Sequence, residues 1–403
     1  MRPEWNERMA KTNDNTAGGE EAVELNEDGL LEETTRRRSI RRIVETFGPL
    51  LALVLLVGFT SLFNPKFLLP VNVLNILEEL SYRGVVALGM TFVIILGGID
   101  LSVGSLVAFA GGLGIWLMNT VVGAPEIAEA AAEARQAGLA LPAGTVRIWL
   151  AGVANGLGIG GSEVAGVLVG WVVILATGVA AGMINGVLIA KGRVAAFIAT
   201  LGGLAAYRSL ALALADGGEF RSASDTLFQS LGTGGIRLPY LTNQYGNPLI
   251  LRWPLLIFIL TVVVAHVILN WTRYGRYVYA IGCNERAARY SAIAVDRVKI
   301  MTYTLIGALA GLAALMNSSR MNSVSSGQTG SMWELDAIAA VVIGGTRMSG
   351  GVGRIWGTVV GLLILGVISN MLNLLQVSPY LQGLVKGAII VAAVLMQRSG
   401  RSE

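Results

Sequence analysis

The fold is decided by an uncharged apolar stretch, WPLLIFILTVVVAHVILNW, at residues 253–271. Its eighteen residue steps correspond to about 27 Å of α-helix, close to the roughly 30 Å thickness of the hydrocarbon core of a bilayer. Trp253 and Trp271 bracket the stretch, and Arg252 and Arg273 stand just beyond them, as expected of anchors at the two membrane interfaces. The stretch therefore predicts a transmembrane helix.

The composition of the 403-residue chain extends this prediction to most of the sequence. Hydrophobic residues make up 54% of the chain and charged residues only 14%, whereas roughly a quarter of the residues in a soluble protein are charged. This balance disfavours a single large soluble enzyme and any collagenous or disordered class. The chain is expected to be a polytopic membrane protein.

Ten apolar stretches predict an all-α polytopic membrane protein with about ten transmembrane helices, some of them short or broken. They lie at 47–63, 84–98, 102–122, 164–190, 194–215, 253–271, 300–318, 335–346, 354–375 and 381–397. The predicted transmembrane domain covers 46–397. The polar residues 1–45 are predicted to form a disordered cytoplasmic tail, and residues 398–403 a short cytoplasmic end.

Basic residues predict the orientation in the membrane. The loop 272–300 contains six basic and two acidic residues, and its net charge of +4 equals that of the whole chain. Cytoplasmic loops carry an excess of Lys and Arg, so this loop is expected in the cytoplasm together with both chain termini. The segments 123–147 and 216–252 lack a basic excess and are expected outside. The basic balance of the chain therefore indicates topology, with no nucleic-acid partner.

Single residues exclude several kinds of chemistry. The chain has one histidine, His266, and one cysteine, Cys283, so it cannot form an internal disulfide, a two-histidine zinc site or an iron–sulfur cluster. No GxxxxGK[ST] phosphate-binding loop is present, so any ATP is expected on another chain. His266 lies inside the predicted span 253–271, where it is either a functional residue or a neutral partner in a helix–helix hydrogen bond.

Two short segments of the chain share a pattern. In LGGIDLSVGS at 96–105 and IGGTRMSGGV at 343–352, two glycines, a serine and a further glycine align, and Asp100 is matched with Arg347. Irregular backbone at membrane depth is tolerated only where protein buries it or water lines it, so paired breaks point to a transport path. The alternative is two tight turns at the cytoplasmic surface, with Asp100 as a helix cap and Arg347 as a topology signal.

The basic loop is predicted to contain a short docking helix. In NERAARYSAIAV, Asn284 is suited to cap the helix and Glu285 suits its positive dipole end. The helical spacing predicts one face of small residues that fits a groove on a partner protein. An amphipathic helix lying on anionic lipid is the alternative, but such a helix normally needs large apolar residues. The predicted small face consists of Ala287, Ala288, Ser291 and Ala292, with Arg286 and Arg289 near its edges.

From about residue 84 to 397 the chain resembles the membrane permease subunit of bacterial ABC importers for monosaccharides, the ribose/xylose/galactose type. The matching stretches are GGIDLSVGS (97–105), FIATLGG (197–203), GRYVYAIGCNERAARYSAIAV (275–295) and ELDAIAAVVIGGTRMSGGVGRIWGT (334–358). The sequence departs from the family pattern in having Ala292 and Ala294 where glycine is usual, and Ala195 and Ala196 where proline is common.

The resemblance implies a dimer of ten-span subunits in the bacterial inner membrane. A cytoplasmic ATPase subunit that binds ATP and Mg would drive it, and an extracytoplasmic sugar-binding protein would deliver the sugar. By the same resemblance, the ATPase-coupling residues are Asn284, Glu285, Arg286, Ala287, Ala288, Arg289, Ser291 and Ala292.

The leading functional prediction is a non-catalytic subunit that forms half of a sugar pathway. Polar residues on or near the spans are candidates to line that path, although each also fits a helix–helix hydrogen bond or a cap. These candidates are Asp100, Ser102, Ser105, Asn185, Thr200, Asn317, Asn322, Glu334 and Asp336. An ion-coupled secondary sugar transporter and a membrane receptor or scaffold are the alternatives; proton coupling would require acidic groups deep in the spans, which most spans lack.

Overall fold

The computed structural model describes residues 48–141, 144–242, 246–378, 381–385, 387–388 and 391. Its helices are α1 (Gly48–Phe63), α2 (Pro70–Ile95), α3 (Val103–Val122), α4 (Ala124–Gln136), α5 (Thr145–Gly156), α6 (Glu163–Ala190), α7 (Ala196–Leu214), α8 (Leu227–Thr233), α9 (Trp253–Trp271), α10 (Arg273–Cys283), α11 (Glu285–Tyr290), α12 (Val295–Met321), α13 (Trp333–Ile343) and α14 (Ile355–Leu374). Its strands are β1 (Glu219–Arg221), β2 (Gly235–Thr242), β3 (Pro248–Arg252) and β4 (Ser323–Ser325). The predicted tail 1–45, the end 398–403 and most of the predicted span 381–397 lie outside the described residues.

Six of the described helices, α3, α6, α7, α9, α12 and α14, are long and apolar enough to cross a membrane. The predicted class, a polytopic helical membrane protein, is therefore confirmed. α13 has 11 residues, or about 16 Å of helix, and is too short to span the bilayer alone. The apolar stretch predicted at 335–346 thus forms a short helix followed by a turn.

The central helix of the structure, α2, is longer than the stretch predicted at 84–98. It begins at Pro70, which suits the first helical position, and its second half is buried. The first half carries Glu78, which is 5% exposed and forms ion pairs with Arg252 at 3.2 Å and Arg320 at 3.5 Å. The local sequence does not indicate this half, because the two arginines that pair with the buried carboxylate lie far away in the chain.

Glycines set the close packing of α6 against α12. A Cβ atom at Gly182 would lie 2.9 Å from the Cα of Gly307, and one at Gly178 would lie 2.8 Å from the Cα of Gly311. Small residues four positions apart let two helix backbones approach closely in a membrane. The repeat GVAAGMING at 178–186 is the sequence signal of this contact.

The two ends of the helical bundle differ in structure. We call the end that contains α10, α11 and the first turns of α12 the basic end. The opposite end contains two small antiparallel sheets, β1 with β4 and β2 with β3, which add strands to the predicted all-α fold. There Asn119, near the end of α3, donates to the carbonyl of Arg221 at 2.7 Å, and Ser224 donates to Glu163 at the start of α6 at 2.6 Å. The non-basic segment 216–252 therefore lies opposite the basic loop.

The segment 123–147, predicted as a simple outer loop, contains α4 and the start of α5. α4 starts directly after Gly123, which ends α3, and Pro125 stands in its first turn. Apolar residues of α4 and α5 pack together in a small separate cluster. α4 and α5 therefore pack together as a pair of helices, which the mixed charge of the segment did not indicate.

Candidate functional site

The turn between α2 and α3, residues 96–102, holds a buried polar cluster at the basic end. We call this turn the first break. α2 ends here because Gly97 adopts φ +90°, which allows the N–H of Gly98 to donate to the carbonyl of Val93 at 2.9 Å. Asp100 follows and is 2% exposed. Its Oδ1 atom accepts from the backbone N–H of Ser102 at 2.9 Å and from the Ser102 hydroxyl at 2.6 Å.

Two other helices contribute to this cluster. Asn185 of α6 donates from Nδ2 to the Ser102 hydroxyl at 3.0 Å. Thr200 of α7 donates to the carbonyl of Ala196 at 2.9 Å and lies 3.4 Å from the carbonyl of Ile99 in the break. Ser105 donates to the carbonyl of Ser102 at 2.9 Å. The structure thus brings together five of the predicted path residues, namely Asp100, Ser102, Ser105, Asn185 and Thr200.

Three other predicted path residues lie apart from this cluster. Asn322 caps the end of α12 in the left-handed conformation and donates to Asp225 at 3.3 Å. Asp336 forms an ion pair with Arg83 of α2 at 3.0 Å, and Asn317 is half-buried in the last turns of α12. Asn322 therefore fits the interpretation as a helix cap, and Asp336 fits the interpretation as a helix–helix contact.

Glu334 belongs to a second group, between α13, α3 and α7. Its carboxylate lies where a side chain at Gly104 would stand, and it acts electrostatically on Arg208. Arg208 donates from Nη1 to the carbonyls of Ser326 at 2.8 Å and Thr329 at 3.0 Å. Arg208 was not among the predicted path residues, although an arginine inside the apolar stretch 194–215 is a signal that could have identified it.

The second break, residues 344–354 between α13 and α14, ends its preceding helix in the same way as the first. Gly345 has φ +89°, and the N–H of Thr346 donates to the carbonyl of Val341 at 3.1 Å. In the first break the left-handed residue is Gly97, the first of the two adjacent glycines. In the second break it is Gly345, the second of the two. The predicted alignment is therefore wrong by one residue, and Asp100 is not the structural equivalent of Arg347.

The short helix α11 begins as the sequence predicts. The Oδ1 atom of Asn284 accepts from the N–H of Ala287 at 3.0 Å, and Glu285 is the first helical residue. The helix ends after six residues, because Ala292 takes φ +59° and the N–H of Ile293 donates to the carbonyl of Ala288 at 3.1 Å.

The predicted helical face of small residues is therefore only partly formed. Ser291 and Ala292 stand beyond the end of the helix, and Ala288 is buried. The exposed surface of α11 contains Ala287 but also larger side chains, including Arg286 and Tyr290, which is 91% exposed. Arg286 was among the predicted coupling residues, but Tyr290 was not.

Ion pairs fasten α11 to the start of α12. Lys299 donates to the two carboxylate oxygens of Glu285 at 2.8 and 2.9 Å, and Arg289 pairs with Asp296 at 3.1 Å and with Glu285 at 3.4 Å. The hydrogen bond from Lys299 holds the pKa of Glu285 below its usual value. The two helices are therefore expected to move as one unit.

A cavity of about 600 Å³ lies beside this ion-pair network. Its walls come from the first break, the turn between α6 and α7, α11 and α12, and they include Gly98, Arg193, Lys299 and Tyr303. Tyr303 is 1% exposed, and its hydroxyl lies where a side chain at Gly98 would stand. The cavity and this contact connect α11 with the first break. Among the described residues, no cluster of three or more His, Cys, Asp or Glu side chains is arranged to hold a metal ion.

Comparison with known proteins gives consistent matches over most of the chain. The family described as branched-chain amino acid transport system / permease component matches residues 72–394. The ribose import permease protein RbsC of Bacillus subtilis is 38% identical over 360 residues, which is 88% of this chain and 94% of the relative.

The ribose import permease protein RbsC of Escherichia coli K12 is 37% identical over 86% of this chain and 92% of its own length. The L-arabinose transport system permease protein AraH of the same strain is 32% identical over 89% of this chain and 92% of its own length. No solved structure matches significantly.

Proposed function

The chain belongs to the permease family described as branched-chain amino acid transport system / permease component, and from this premise we propose that it is the membrane subunit of an ATP-driven importer for a monosaccharide. The similarity to ribose and L-arabinose permeases along nearly their whole length carries the proposal. A pentose such as ribose or arabinose is the favoured cargo, with xylose and galactose as further candidates. The protein is a multi-pass protein of the inner membrane and contributes no catalytic residues.

The proposed assembly contains three other components. A cytoplasmic ATPase subunit binds ATP and Mg, an extracytoplasmic sugar-binding protein delivers the sugar, and a second permease copy completes the pathway. The absence of a GxxxxGK[ST] loop from the sequence supports placing ATP on another chain. Membrane lipid surrounds the helices, and no nucleic acid takes part.

The proposed topology has ten membrane segments with both termini in the cytoplasm. It adds α1, α2, α13 and the stretch 381–397 to the six long apolar helices. The tail 1–45 and the end 398–403 then lie in the cytoplasm, on either side of the domain 46–397. The basic end of the bundle faces the cytoplasm, because the loop 272–300 at this end has the basic excess.

The proposed docking surface for the ATPase is the exposed side of α11. Tyr290 is 91% exposed, and buried aromatic and arginine side chains dominate the binding energy of many protein interfaces. Tyr290 and Arg286 are therefore proposed as the anchors of this contact. Glu285 and Arg289 face the other way, where their ion pairs join α11 to α12.

The proposed route of motion runs from α11 along α12 to the first break. The short connection 291–294 between the two helices is proposed to pass displacement of α11 to α12, and the ion pair of Glu285 with Lys299 adds a weak further link. Tyr303 lies one turn further along α12 and touches the first break at Gly98. Closure of the ATPase subunits would thus move the backbone next to Asp100. Such coupling requires an element with two arrangements whose balance is shifted both by the ATPase and by the sugar; the first break is proposed as that element.

The polar cluster of the first break is proposed to gate the sugar path, because its side chains are buried in this structure and would reach a sugar only when the break moves. Hydroxyl, amide and carboxylate groups of Asp100, Ser102 and Asn185 are the kinds of group that hydrogen-bond sugar hydroxyls. Arg208 and Glu334 form a second polar position on the proposed path. The contacts of Asn322 and Asp336 favour structural roles for these two residues.

Uptake by proteoliposomes tests the proposed function. The full complex is reconstituted with the ATPase and the binding protein. It is expected to accumulate labelled ribose or arabinose only when ATP is supplied on the side of the membrane that carries the ATPase and the binding protein is present on the other side. Uptake driven by a proton or sodium gradient without ATP would support the secondary transporter and overturn the proposal.

A matched pair of tyrosines tests the docking surface. Tyr290→Ala is expected to weaken co-purification of the ATPase by about tenfold or more, because removal of an interface anchor costs about 2 kcal/mol. Tyr240 is 97% exposed at the opposite end of the bundle, so Tyr240→Ala is expected to leave co-purification unchanged. Equal retention of the ATPase by both variants would contradict the assignment of α11.

A further inference from the structure

A second cavity at the basic end has no part in the proposed transport path. It measures about 330 Å³ and lies between the last turn of α9, α10 and the start of α14. Its side-chain walls include His266, Asn270, Tyr279, Arg354 and Trp356, and the backbone of the second break closes it. It contains the chain's only histidine, for which transport gives no role.

The walls of this cavity are held in place by specific contacts. The His266 ring is near two indoles, with ring centroids 6.4 Å from Trp271 and 6.0 Å from Trp356. The Nδ2 atom of Asn270 lies 3.1 Å from Nδ1 of His266 and donates to the His266 carbonyl at 2.9 Å. The hydroxyl of Tyr279 donates to the carbonyl of Gly353 at 2.8 Å, which fixes the second break against α10.

The charge of the cavity favours an anion. Arg354 is exposed at its rim, and no carboxylate is among the described residues that line it. α14 starts here without a side-chain cap, so the first N–H groups of this 20-residue helix add positive potential. Aromatic rings alone would also suit a quaternary ammonium group, but the guanidinium of Arg354 repels such a cation.

The position of the cavity identifies the source of the anion. Trp271 is 74% exposed and Trp356 is 56% exposed, and they stand at the ends of two apolar helices that are long enough to cross the membrane. Exposed tryptophans at helix ends mark the level of the lipid headgroups. The cavity therefore opens at the depth where phospholipid phosphates lie.

An apolar track leads away from the cavity into the membrane. Ile259 and Val263 precede His266 and Asn270 at spacings of three and four residues along α9, so the four share one side of the helix. Ile259 is 49% exposed and Val263 is 51% exposed. A lipid whose headgroup occupies the cavity can lay an acyl chain along these side chains.

We propose that this cavity binds the phosphodiester headgroup of an anionic phospholipid, with Arg354 as its cationic partner and Trp356 in its wall. The site joins the α9–α10 corner, which leads into the docking helix, to the second break. Bound lipid would thus brace the basic end during the movements of α11. The inference requires insertion in a membrane and does not depend on which solute is transported.

Native mass spectrometry of the purified full chain tests this site. After delipidation, the protein is titrated with phosphatidylglycerol and, separately, with phosphatidylcholine. We expect phosphatidylglycerol to be retained preferentially by the wild-type chain, and Arg354→Gln to lower its retention by about fivefold, the factor that corresponds to loss of one surface cation near an anionic lipid. Equal retention of the two lipids by the wild-type chain would overturn the proposal without any variant.

A matched control and a headgroup probe complete the test. Arg347 is also exposed on the second break but does not line the cavity, so Arg347→Gln is expected to retain phosphatidylglycerol like the wild-type chain. Equal losses in both variants would show a general charge effect and contradict the site. Glycerol 1-phosphate is expected to bind far more weakly than the lipid; equal binding would assign the cavity to a free phosphate ester instead.

Discussion

The first and second breaks begin alike and then diverge. Each ends a helix with a glycine in the left-handed conformation, Gly97 at φ +90° and Gly345 at φ +89°. After that glycine, the first break turns Asp100 into the interior, where it is 2% exposed. The second break continues with Arg347, which is exposed, and the N–H of Arg347 donates to the carbonyl of Val352 at 3.0 Å in a closed turn. A shared helix-ending signal therefore does not imply a shared function.

The two breaks are also in contact. The N–H of Gly351 donates to the carbonyl of Ile95 at 2.8 Å, and a Cβ atom at Gly350 would lie 3.2 Å from the Cα of Gly97. The second break thus supports the backbone from which the first begins. We therefore expect substitutions of the polar residues in the first break to affect transport more than substitutions in the second.

The largest expected difference is between the two charged residues. Asp100→Ala leaves the N–H and hydroxyl of Ser102 without their acceptor and is expected to cost about 1–3 kcal/mol of stability and most of the uptake activity. Arg347→Ala removes an exposed side chain and is expected to change stability by about 0.5 kcal/mol or less. Thermal unfolding in detergent and uptake in proteoliposomes measure both effects.

Asp100→Asn serves as the control for this prediction. An asparagine retains an Oδ1 acceptor for Ser102, so its stability is expected to stay closer to that of the wild-type chain than that of Asp100→Ala. If Asp100→Ala and Arg347→Ala unfold at the same temperature as the wild-type chain, the contrast between the breaks is wrong.

A smaller difference in stability is expected between alanine substitutions at Gly98 and at Gly345. A Cβ atom at Gly98 would meet the hydroxyl of Tyr303, whereas one at Gly345 would meet nothing within 4 Å and only the backbone would resist it. Gly98→Ala is expected to cost about 1–3 kcal/mol through overpacking, and Gly345→Ala about 1 kcal/mol through its positive φ. Thermal unfolding of the two single variants measures these costs.

A double-variant cycle distinguishes the two causes. Tyr303→Phe removes the hydroxyl that a side chain at position 98 would meet, so it is expected to recover part of the cost of Gly98→Ala. It is expected to recover none of the cost of Gly345→Ala. Additive effects in both pairs would show that Tyr303 does not press on the first break.

The amino-acid sequence alone predicted the membrane class, the two glycine-rich breaks and the capped start of α11, because each depends on residues close together in the chain. It missed the first half of α2, because the burial of Glu78 depends on Arg252 and Arg320. It misaligned the breaks by one residue, because a pair of adjacent glycines does not reveal which of them takes the left-handed conformation.

The candidate site was recovered unevenly for the same reason. Asp100 and Ser102 are neighbours and were predicted together, but their contact with Asn185 depends on how α6 packs. The exposed Tyr290 was missed because the predicted helix was too long. The end of α11 depends on Ala292 in the left-handed conformation, which an alanine rarely adopts.

A third helix, α11, also ends at a residue in the left-handed conformation, but this residue is an alanine and not a glycine. Ala292 ends α11 at φ +59°, and an L-residue other than glycine pays a conformational cost there. Ala292→Gly is expected to stabilise the chain by up to about 1 kcal/mol, and Gly97→Ala to destabilise it by a similar amount. Thermal unfolding of the two variants side by side measures both shifts, and a shift of the same sign in both would contradict a common capping mechanism.

The smallest expected effect concerns the carboxylate of Glu285, which is partly exposed, unlike the buried carboxylate of Asp100. Lys299 holds the pKa of Glu285 below its usual value, so the ion pair stabilises the fold above the pKa of the unfolded chain and is lost as the pH falls through the lower folded pKa. Because the Glu285 side chain is 44% exposed, solvent screening limits the contribution to a few tenths of a kcal/mol. Unfolding temperatures measured from pH 7 down to pH 3 are expected to fall slightly less for Glu285→Gln than for the wild-type chain. An equal fall in both would mean that the attachment of α11 to α12 rests on the packing of Ala288 rather than on charge.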